Sequence, residues 1–301
     1  MKARARRSRY LRAGGWLAAA ALVLLAVGPR IWRANRAGVE EPIARLETVT
    51  GPVKVVSTAG ERGAAAAAGL EPGDVVETGP AGGSVPPRAA LRIAGGPSVR
   101  LDSATRLRLV SGSVLALERG AVYVDSGAQG TAERFEIRTS LGTARDVGTQ
   151  FEVRLSGRDD GETLAVRVRE GLVVLSRGGE SHPAAAGVEL TVRPDGTLVE
   201  GTVPLHGPVW DWTLAIAPAF ALEGRTALDL LGWVARERGW RLEFGGPGVA
   251  GYASTTTLGG GPVEISVLDE ETLAALLGPG SGLEIRVDEG TIFVERARPP
   301  R

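Results

Sequence analysis

The sequence contains no cysteine among its 301 residues. A chain without cysteine forms no disulfide, has no thiol nucleophile and offers no thiolate to a metal. Histidine is nearly as rare, because His182 and His206 are the only two, and both lie in predicted loops close to a proline. We therefore predict no metal site and no cofactor, and we expect a protein that is not an enzyme.

Net charge is also absent, because 35 basic residues balance 35 acidic ones. A neutral chain has no long-range field to attract nucleic acid, so we predict no nucleic-acid partner. Aromatic residues make up only 5% of the chain, whereas 43 residues are glycine. This composition favours a turn-rich, mainly β protein over a helical bundle.

The N-terminal residues combine a basic segment with an uncharged one. Residues 1–12 carry six basic side chains and no acid, and residues 13–29 carry no charge. As a helix the uncharged run reaches about 25 Å, which is marginal against a hydrocarbon core of about 30 Å. Ile31 and Trp32 extend its apolar side, and the side chains of Arg12 and Arg30 can reach the membrane surface, so we predict a transmembrane helix over residues 13–32.

The positive-inside rule makes residues 1–12 a cytoplasmic tail and places everything after the helix outside. We expect a single-pass protein of the bacterial inner membrane with its bulk in the periplasm. A cleaved signal peptide is the alternative, with small residues at Ala26 and Gly28, although Pro29 would follow the cut.

Alternating apolar and polar residues dominate the middle of the chain. Examples are Leu91 and Ile93 around Arg92, and the run from Phe151 to Leu155. A period of two is typical of strands with one buried face. The pattern predicts an all-β domain over residues 45–200, as a sandwich or a short solenoid.

A different pattern follows the β region. Residues 201–218 are interpreted as a linker, and residues 219–297 as a small α+β domain. An amphipathic helix is predicted within 223–240, with Thr226 as N-cap and Gly239 at its C-terminal end. A hairpin is predicted over 283–296, with its turn at Asp288 to Gly290.

The segment "TSLGTARDVGTQFEVRL" (139–155) contains two Gly-Thr pairs, at Gly142 and at Gly148. Strand patterns precede and follow it, so the glycines are expected where one strand ends and the next begins. A phosphate-binding loop would need a helix after the glycines, and no helix pattern follows.

This segment and its flanks resemble the FecR family, the ferric-citrate-type transmembrane regulators, over about residues 47–200. The positions that fit the family signature are Thr139, Gly142, Gly148, Thr149, Phe151 and Val153, while Ser140 replaces the usual proline. The pattern of the tail resembles the short secretin and TonB N-terminal domain (STN), which ends many proteins of this family.

The resemblance implies a non-enzymatic protein that relays a periplasmic signal by protein–protein contact in a sigma-factor regulation pathway. It implies an outer-membrane transducer or a membrane-bound anti-sigma and sigma system as partner. Twelve residues are too few for the family's cytoplasmic anti-sigma region, so we expect a separate protein to carry that part. The alternative is a periplasmic binding or scaffold protein that contacts glycan or a secretin- or TonB-type outer-membrane partner.

An open sheet edge in the tail is the predicted partner contact. "VEISV" (263–267) alternates apolar and polar residues after a glycine-rich stretch, and a free edge can pair with an incoming strand. The predicted contact residues are Val263, Ile265 and Val267.

One further motif, "GPGVAG" (246–251), has the spacing of a dinucleotide-binding loop. That function needs a helix after the glycines. The β-prone "YASTTT" that follows predicts none, so we do not expect a nucleotide site.

Overall fold

The computed structural model describes residues 41–127, 135–157, 161–277 and 279–297. The basic tail (1–12) and the transmembrane helix (13–32) predicted from the sequence lie outside these ranges. Within the described ranges, no helix is both long enough and apolar enough to cross a membrane. Residues from Pro42 onward form one compact unit.

The described part of the chain is mainly β, as the sequence predicts. Up to residue 202 it contains the strands β1 (Ala44–Thr50), β2 (Val53–Ser57), β3 (Gly60–Gly63), β4 (Gly69–Leu70), β5 (Val75–Thr78), β6 (Arg88–Ile93), β7 (Ser98–Leu101), β8 (Arg106–Ser111), β9 (Val114–Asp125), β10 (Glu136–Thr139), β11 (Gly142–Asp146), β12 (Gln150–Ser156), β13 (Thr163–Glu170), β14 (Leu172–Arg177), β15 (Glu180–Ala185), β16 (Val188–Val192) and β17 (Leu198–Thr202).

These strands form two sheets that share β9. The first sheet has the order β17-β16-β13-β12-β9-β7-β6-β1-β4. The second has the order β15-β14-β11-β10-β9-β8-β5-β2-β3, and its β9–β10 pair is parallel, unlike the others. The β region is therefore a sandwich, which is one of the two architectures left open by the sequence.

The two sheets pack around one hydrophobic core. The first sheet contributes Leu91, Val122 and Phe151, and the second contributes Leu107 and Leu175, all fully buried in the same cluster. Each of these residues belongs to an alternating apolar set, so burying one face of every strand brings the two sheets together.

Gly120 lets β9 pass from one sheet to the other. Residues before it pair with β8 and β10, and residues after it pair with β7 and β12. Its φ is +89°, and a Cβ at this position would lie 2.4 Å from Thr105 Cα. Glycine is required here both by the backbone conformation and by the close approach of another strand.

Replacing Gly120 with alanine is expected to lower the free energy of unfolding by about 1–3 kcal/mol, because the new Cβ strains the backbone. Chemical denaturation of a fragment containing residues 42–301 measures this. The matched control is Gly112→Ala, since nothing lies within 4 Å of that position. Equal stability of the two variants would contradict the role of Gly120.

The C-terminal part begins with α1 (Asp211–Leu214), preceded by a 3-10 turn at Pro208–Trp210. It continues with β18 (Phe220–Ala221), α2 (Ala227–Arg238), β19 (Arg241–Phe244), α3 (Val249–Ala253), β20 (Pro262–Val263), a 3-10 turn at Ile265–Val267, α4 (Glu270–Leu277), a 3-10 turn at Pro279–Ser281, β21 (Leu283–Asp288) and β22 (Thr291–Arg296). Strands β19, β22 and β21 form a three-stranded sheet in that order.

Helix α2 has the boundaries that the sequence predicts. Thr226 accepts a hydrogen bond from the backbone of Asp229, whose side chain accepts one in return, so the helix starts with a capping box. Gly239 ends it in the left-handed conformation. Leu230 and Val234 lie on its fully buried face. The β21–β22 turn is also as predicted, with positive φ at Glu289 and Gly290.

The strand predicted over 263–267 is wrong. Only Pro262–Val263 pairs, with β18, and Ile265–Val267 is a 3-10 turn. Arg238 explains the difference, because its Nη2 donates to the carbonyl oxygens of Ile265 (3.0 Å) and Leu268 (2.7 Å). The turn buries Ile265 and leaves Val267 61% exposed, whereas in a strand both would share one face.

Two other predictions need correction. A helix does follow the first two glycines of "GPGVAG", because α3 (Val249–Ala253) begins directly after Gly248, although its five residues are too few for an N-terminal anion site. His182 lies in β15 opposite Leu175, not in a loop.

Candidate functional site: the interface on the outer face of the first sheet

The outer face of the first sheet carries polar residues that are buried. Alternation in neighbouring strands places Arg100 (β7), Tyr123 and Asp125 (β9), Gln150 (β12) and Arg169 (β13) on the side away from the core. Arg100 is only 1% exposed, and Gln150 is equally buried. Polar groups removed from water need partners, and here the C-terminal part of the chain supplies them.

The residues interpreted as a linker (201–218) cover one region of this face. Trp210 is fully buried, and its ring meets Tyr123 edge to face with centroids 6.0 Å apart. Its Nε1 donates to the carbonyl oxygen of Pro204 at 2.7 Å. Arg169 lies over the Trp210 ring at 5.2 Å. Trp212 belongs to the same buried cluster, so both tryptophans pack against the β domain.

A bidentate ion pair joins the sheet to helix α2. Arg100 Nη1 and Nη2 each donate to a carboxylate oxygen of Glu237 at 2.7 Å, and Nη1 also donates to the carbonyl oxygen of Thr213 at 3.1 Å. Burial by itself would lower the pKa of Arg100, but the charge of Glu237 and the hydrogen bonds to it raise that pKa. Arg100 therefore stays charged, and it needs its partner because an isolated buried charge is costly.

Arg169 holds the C-terminal end of the same helix. Its Nη1 donates to the carbonyl oxygen of Glu237 at 2.9 Å, and its Nε donates to that of Leu205 at 2.7 Å. A cation is favourable at a helix C-terminus, where backbone carbonyls lack partners within the helix. Gly239 lies so close that a Cβ would be 2.3 Å from the Leu205 oxygen.

A second ion pair lies beside the first. Arg236 Nε is 3.1 Å from Asp125 Oδ1, and its Nη1 is 2.8 Å from Glu170 Oε2. Gln150 Nε2 donates to Asp125 Oδ2 at 2.9 Å and to the Arg236 carbonyl oxygen at 3.3 Å. Burial alone would raise the pKa of Asp125, but Arg236 outweighs it through hydrogen bonds and charge, so this pKa is lowered. Asp125 is thus ionised at neutral pH.

The turn between β11 and β12 holds the residues of this second ion pair in position. Gly148 has φ of +79°, which confirms the predicted turn backbone. Thr149 is fully buried, and its hydroxyl donates to Asp146. Its backbone N–H donates to Ser126 Oγ at 2.7 Å, while that hydroxyl donates to the Thr149 carbonyl oxygen at 3.0 Å. The neighbours of these two residues are Asp125 and Gln150, so this turn fixes the position of the interface side chains.

The other signature positions also have structural roles, in a turn or in the core. Thr139 closes the β10–β11 turn, because its hydroxyl donates to the Gly142 carbonyl oxygen at 2.8 Å and accepts from the Gly142 N–H at 3.1 Å. Phe151 and Val153 are fully buried in the sandwich core. The signature residues therefore do not line a common pocket.

Replacing Gly148 with valine is expected to destabilise the fold by about 1–3 kcal/mol, because a β-branched residue is strained at positive φ. Gly63→Val, at an exposed strand position with nothing within 4 Å, is the matched control. Thermal and chemical unfolding of both variants check the prediction. A Gly148→Val protein as stable as its control would mean that the turn tolerates a side chain.

The residues that form the ion pairs carry no recognisable signal in the sequence. Arg100 alternates with Val99 and Leu101 as any solvent-facing arginine would, and Glu237 lies among exposed-looking charges at the end of a helix. Within the described ranges, no cluster of His, Asp and Glu side chains could hold a metal ion. The arrangement can join two parts of the chain through buried charges.

Comparison with known proteins finds a family match within the β domain. Residues 74–174 match the model of the family described as FecR protein, which makes this region, from β5 into β14, a FecR-family domain. No curated protein matches the chain at a significant level. Two crystal structures of a candidate anti-sigma factor from Parabacteroides distasonis ATCC 8503 are similar to this chain. They are 13% and 14% identical, cover 74% of this chain and 99% of their own, and have TM-scores of 0.39 and 0.38.

Proposed function

We propose that this chain is a non-enzymatic regulator that relays a signal by protein–protein contact in a sigma-factor regulation pathway. The FecR-family match over residues 74–174 is the observation that carries the proposal. A helix over 13–32 anchors the chain in the bacterial inner membrane, with residues 1–12 in the cytoplasm and the bulk in the periplasm.

In this proposal the β domain (45–200) supports an STN-like recognition unit (219–297), which contacts an outer-membrane transducer or a membrane-bound anti-sigma and sigma system. The two ion pairs support a mechanical role, because a force or displacement on helix α2 acts directly on β7 and β9 through Glu237 and Arg236. The partner role of Val263, Ile265 and Val267 stays a prediction, although the strand on which it was based is absent.

Membrane topology is tested first. Alkaline phosphatase fused after Arg45 should be active, and the full-length protein should stay in the membrane after alkaline carbonate washing. A mature N-terminus near Gly28 or Ala37 would instead show a cleaved signal peptide.

The regulatory role is tested by cross-linking the tagged full-length chain in its host and identifying the captured proteins. Capture of a sigma or anti-sigma protein is the expected result, together with changed transcription of sigma-dependent promoters when the gene is deleted. Unchanged transcription, with capture of glycan or a secretin only, would favour the scaffold alternative. Point variants at the interface are better probes than truncation near Pro208, which would expose Arg100, Asp125 and Arg169 without their partners.

A further inference from the structure

A cleft of about 570 Å³ lies beside the ion pairs, between the first sheet and the start of the C-terminal part. One wall comes from the sheet and includes Arg92, Ser98 and Arg100. The opposite wall comes from the segment 218–225 and from helix α2. The volume of the cleft lies within the range of about 300–1,000 Å³ that is common for sites binding drug-sized ligands.

The cleft is rich in arginine, and all but one of its arginines are paired with carboxylates. Four arginines line it, at positions 92, 100, 225 and 236, against the two carboxylates of Asp125 and Glu237. Both carboxylates are already engaged by Arg236 and Arg100. Arg92 pairs at the surface with Glu47 at 3.2 Å. Arg225 is exposed and forms no salt bridge with any residue that the structure describes. Its electrostatic partner is the carboxylate of Asp229, which is itself hydrogen-bonded to Thr226, so the Arg225 guanidinium can take up an incoming anion.

The wall next to Arg225 is apolar. Phe220 and Trp233 stack with centroids 4.9 Å apart and planes inclined by 24°, and the Arg225 guanidinium lies 5.8 Å from the Phe220 centroid. Pro218 extends this surface. A ligand here meets a cation and an aromatic surface side by side, which suits a carboxylate next to an apolar group.

We propose that this cleft binds an acidic peptide segment of a partner protein, with a carboxylate on Arg225 and an apolar side chain against Phe220 and Trp233. The charge of Arg225 selects an acidic segment, and the aromatic wall selects one that also carries aliphatic or aromatic residues. This inference rests on the proposed function, because it specifies the chemistry of the partner segment that the regulator would contact.

Isothermal titration calorimetry on the purified full-length chain in a non-ionic detergent tests the proposal. The probe is an acetylated hexapeptide amide of alternating leucine and glutamate, and its counterpart has glutamine in place of glutamate. The glutamate peptide should bind at least about tenfold more tightly at low salt, and its affinity should fall as salt screens the charges. Equal affinities, or no heat from either peptide, would overturn the proposal.

The variants are chosen as a matched pair. Arg225 and Arg286 are both exposed arginines over a phenylalanine ring, but Arg286 lies over Phe293, outside the cleft. Arg225→Glu should weaken binding of the glutamate peptide about tenfold or more, equivalent to roughly 1.4 kcal/mol per factor of ten. Arg286→Glu should leave it within about twofold. Equal effects of the two variants would mean that the peptide binds elsewhere.

Failure of this inference can be told apart from failure of the proposed function. Peptide binding is measured on the isolated protein, whereas sigma-dependent transcription is measured in the host. If the isolated protein did not bind the glutamate peptide but deletion of the gene still changed sigma-dependent transcription, the cleft proposal would be wrong and the proposed function would stand.

Discussion

Replacing Glu237 with alanine is expected to lower the free energy of unfolding of the fragment 42–301 by about 3–5 kcal/mol. The change leaves Arg100 charged and buried, and the Thr213 carbonyl oxygen is the one hydrogen-bond partner that remains to it among the described residues. Removing one member of a buried ion pair costs more than the pair itself contributes, because the remaining charge has lost both water and counter-ion. Urea unfolding followed by circular dichroism measures the difference.

A double variant that lacks both charges separates the cost of the unpaired Arg100 charge from any effect on helix α2. Arg100→Met combined with Glu237→Leu removes both charges, and it should recover most of the stability lost by Glu237→Ala. Glu243→Ala, at an exposed position in β19, is the control and should stay within about 0.5 kcal/mol. A Glu237→Ala protein as stable as this control would show that Arg100 finds other compensation.

The second large effect is expected at Phe151. Its side chain is fully buried between the two sheets, so Phe151→Ala should cost about 3–5 kcal/mol through lost burial and the cavity left behind. Val147→Ala is the control, because Val147 is 58% exposed in the preceding turn. Differential scanning calorimetry of both variants in the fragment 42–301 checks the prediction. If the melting temperatures of both variants matched that of the unchanged fragment, Phe151 would not be a core residue.

The period of apolar residues predicted the local structure well for strands that bury only one face. The alternating residues around Phe151 and around Leu91 are indeed buried in a sandwich core, because a period of two can bury only one face of a strand. Thr226 and Gly239 were identified as the ends of α2 because capping depends on neighbouring residues alone. Gly148 was expected in a turn for the same reason.

The same reasoning failed at residues 263–267, where alternation over five residues predicted a strand. Arg238, which is distant in sequence, binds the carbonyl groups of Ile265 and Leu268 and favours a turn. A competing tertiary contact of this kind leaves no mark in the local pattern.

The sequence by itself determined the all-β character of the described part of residues 45–200, the boundaries of α2, and the resemblance that the family match over 74–174 supports. These depend on local periodicity, capping and motif order. Only the tertiary structure decided that Arg100 is a buried ion-pair partner and that the segment 201–218 packs on the sheet. Outward-facing arginines look alike in a sequence, and whether one of them meets water or a carboxylate depends on which distant element covers the sheet.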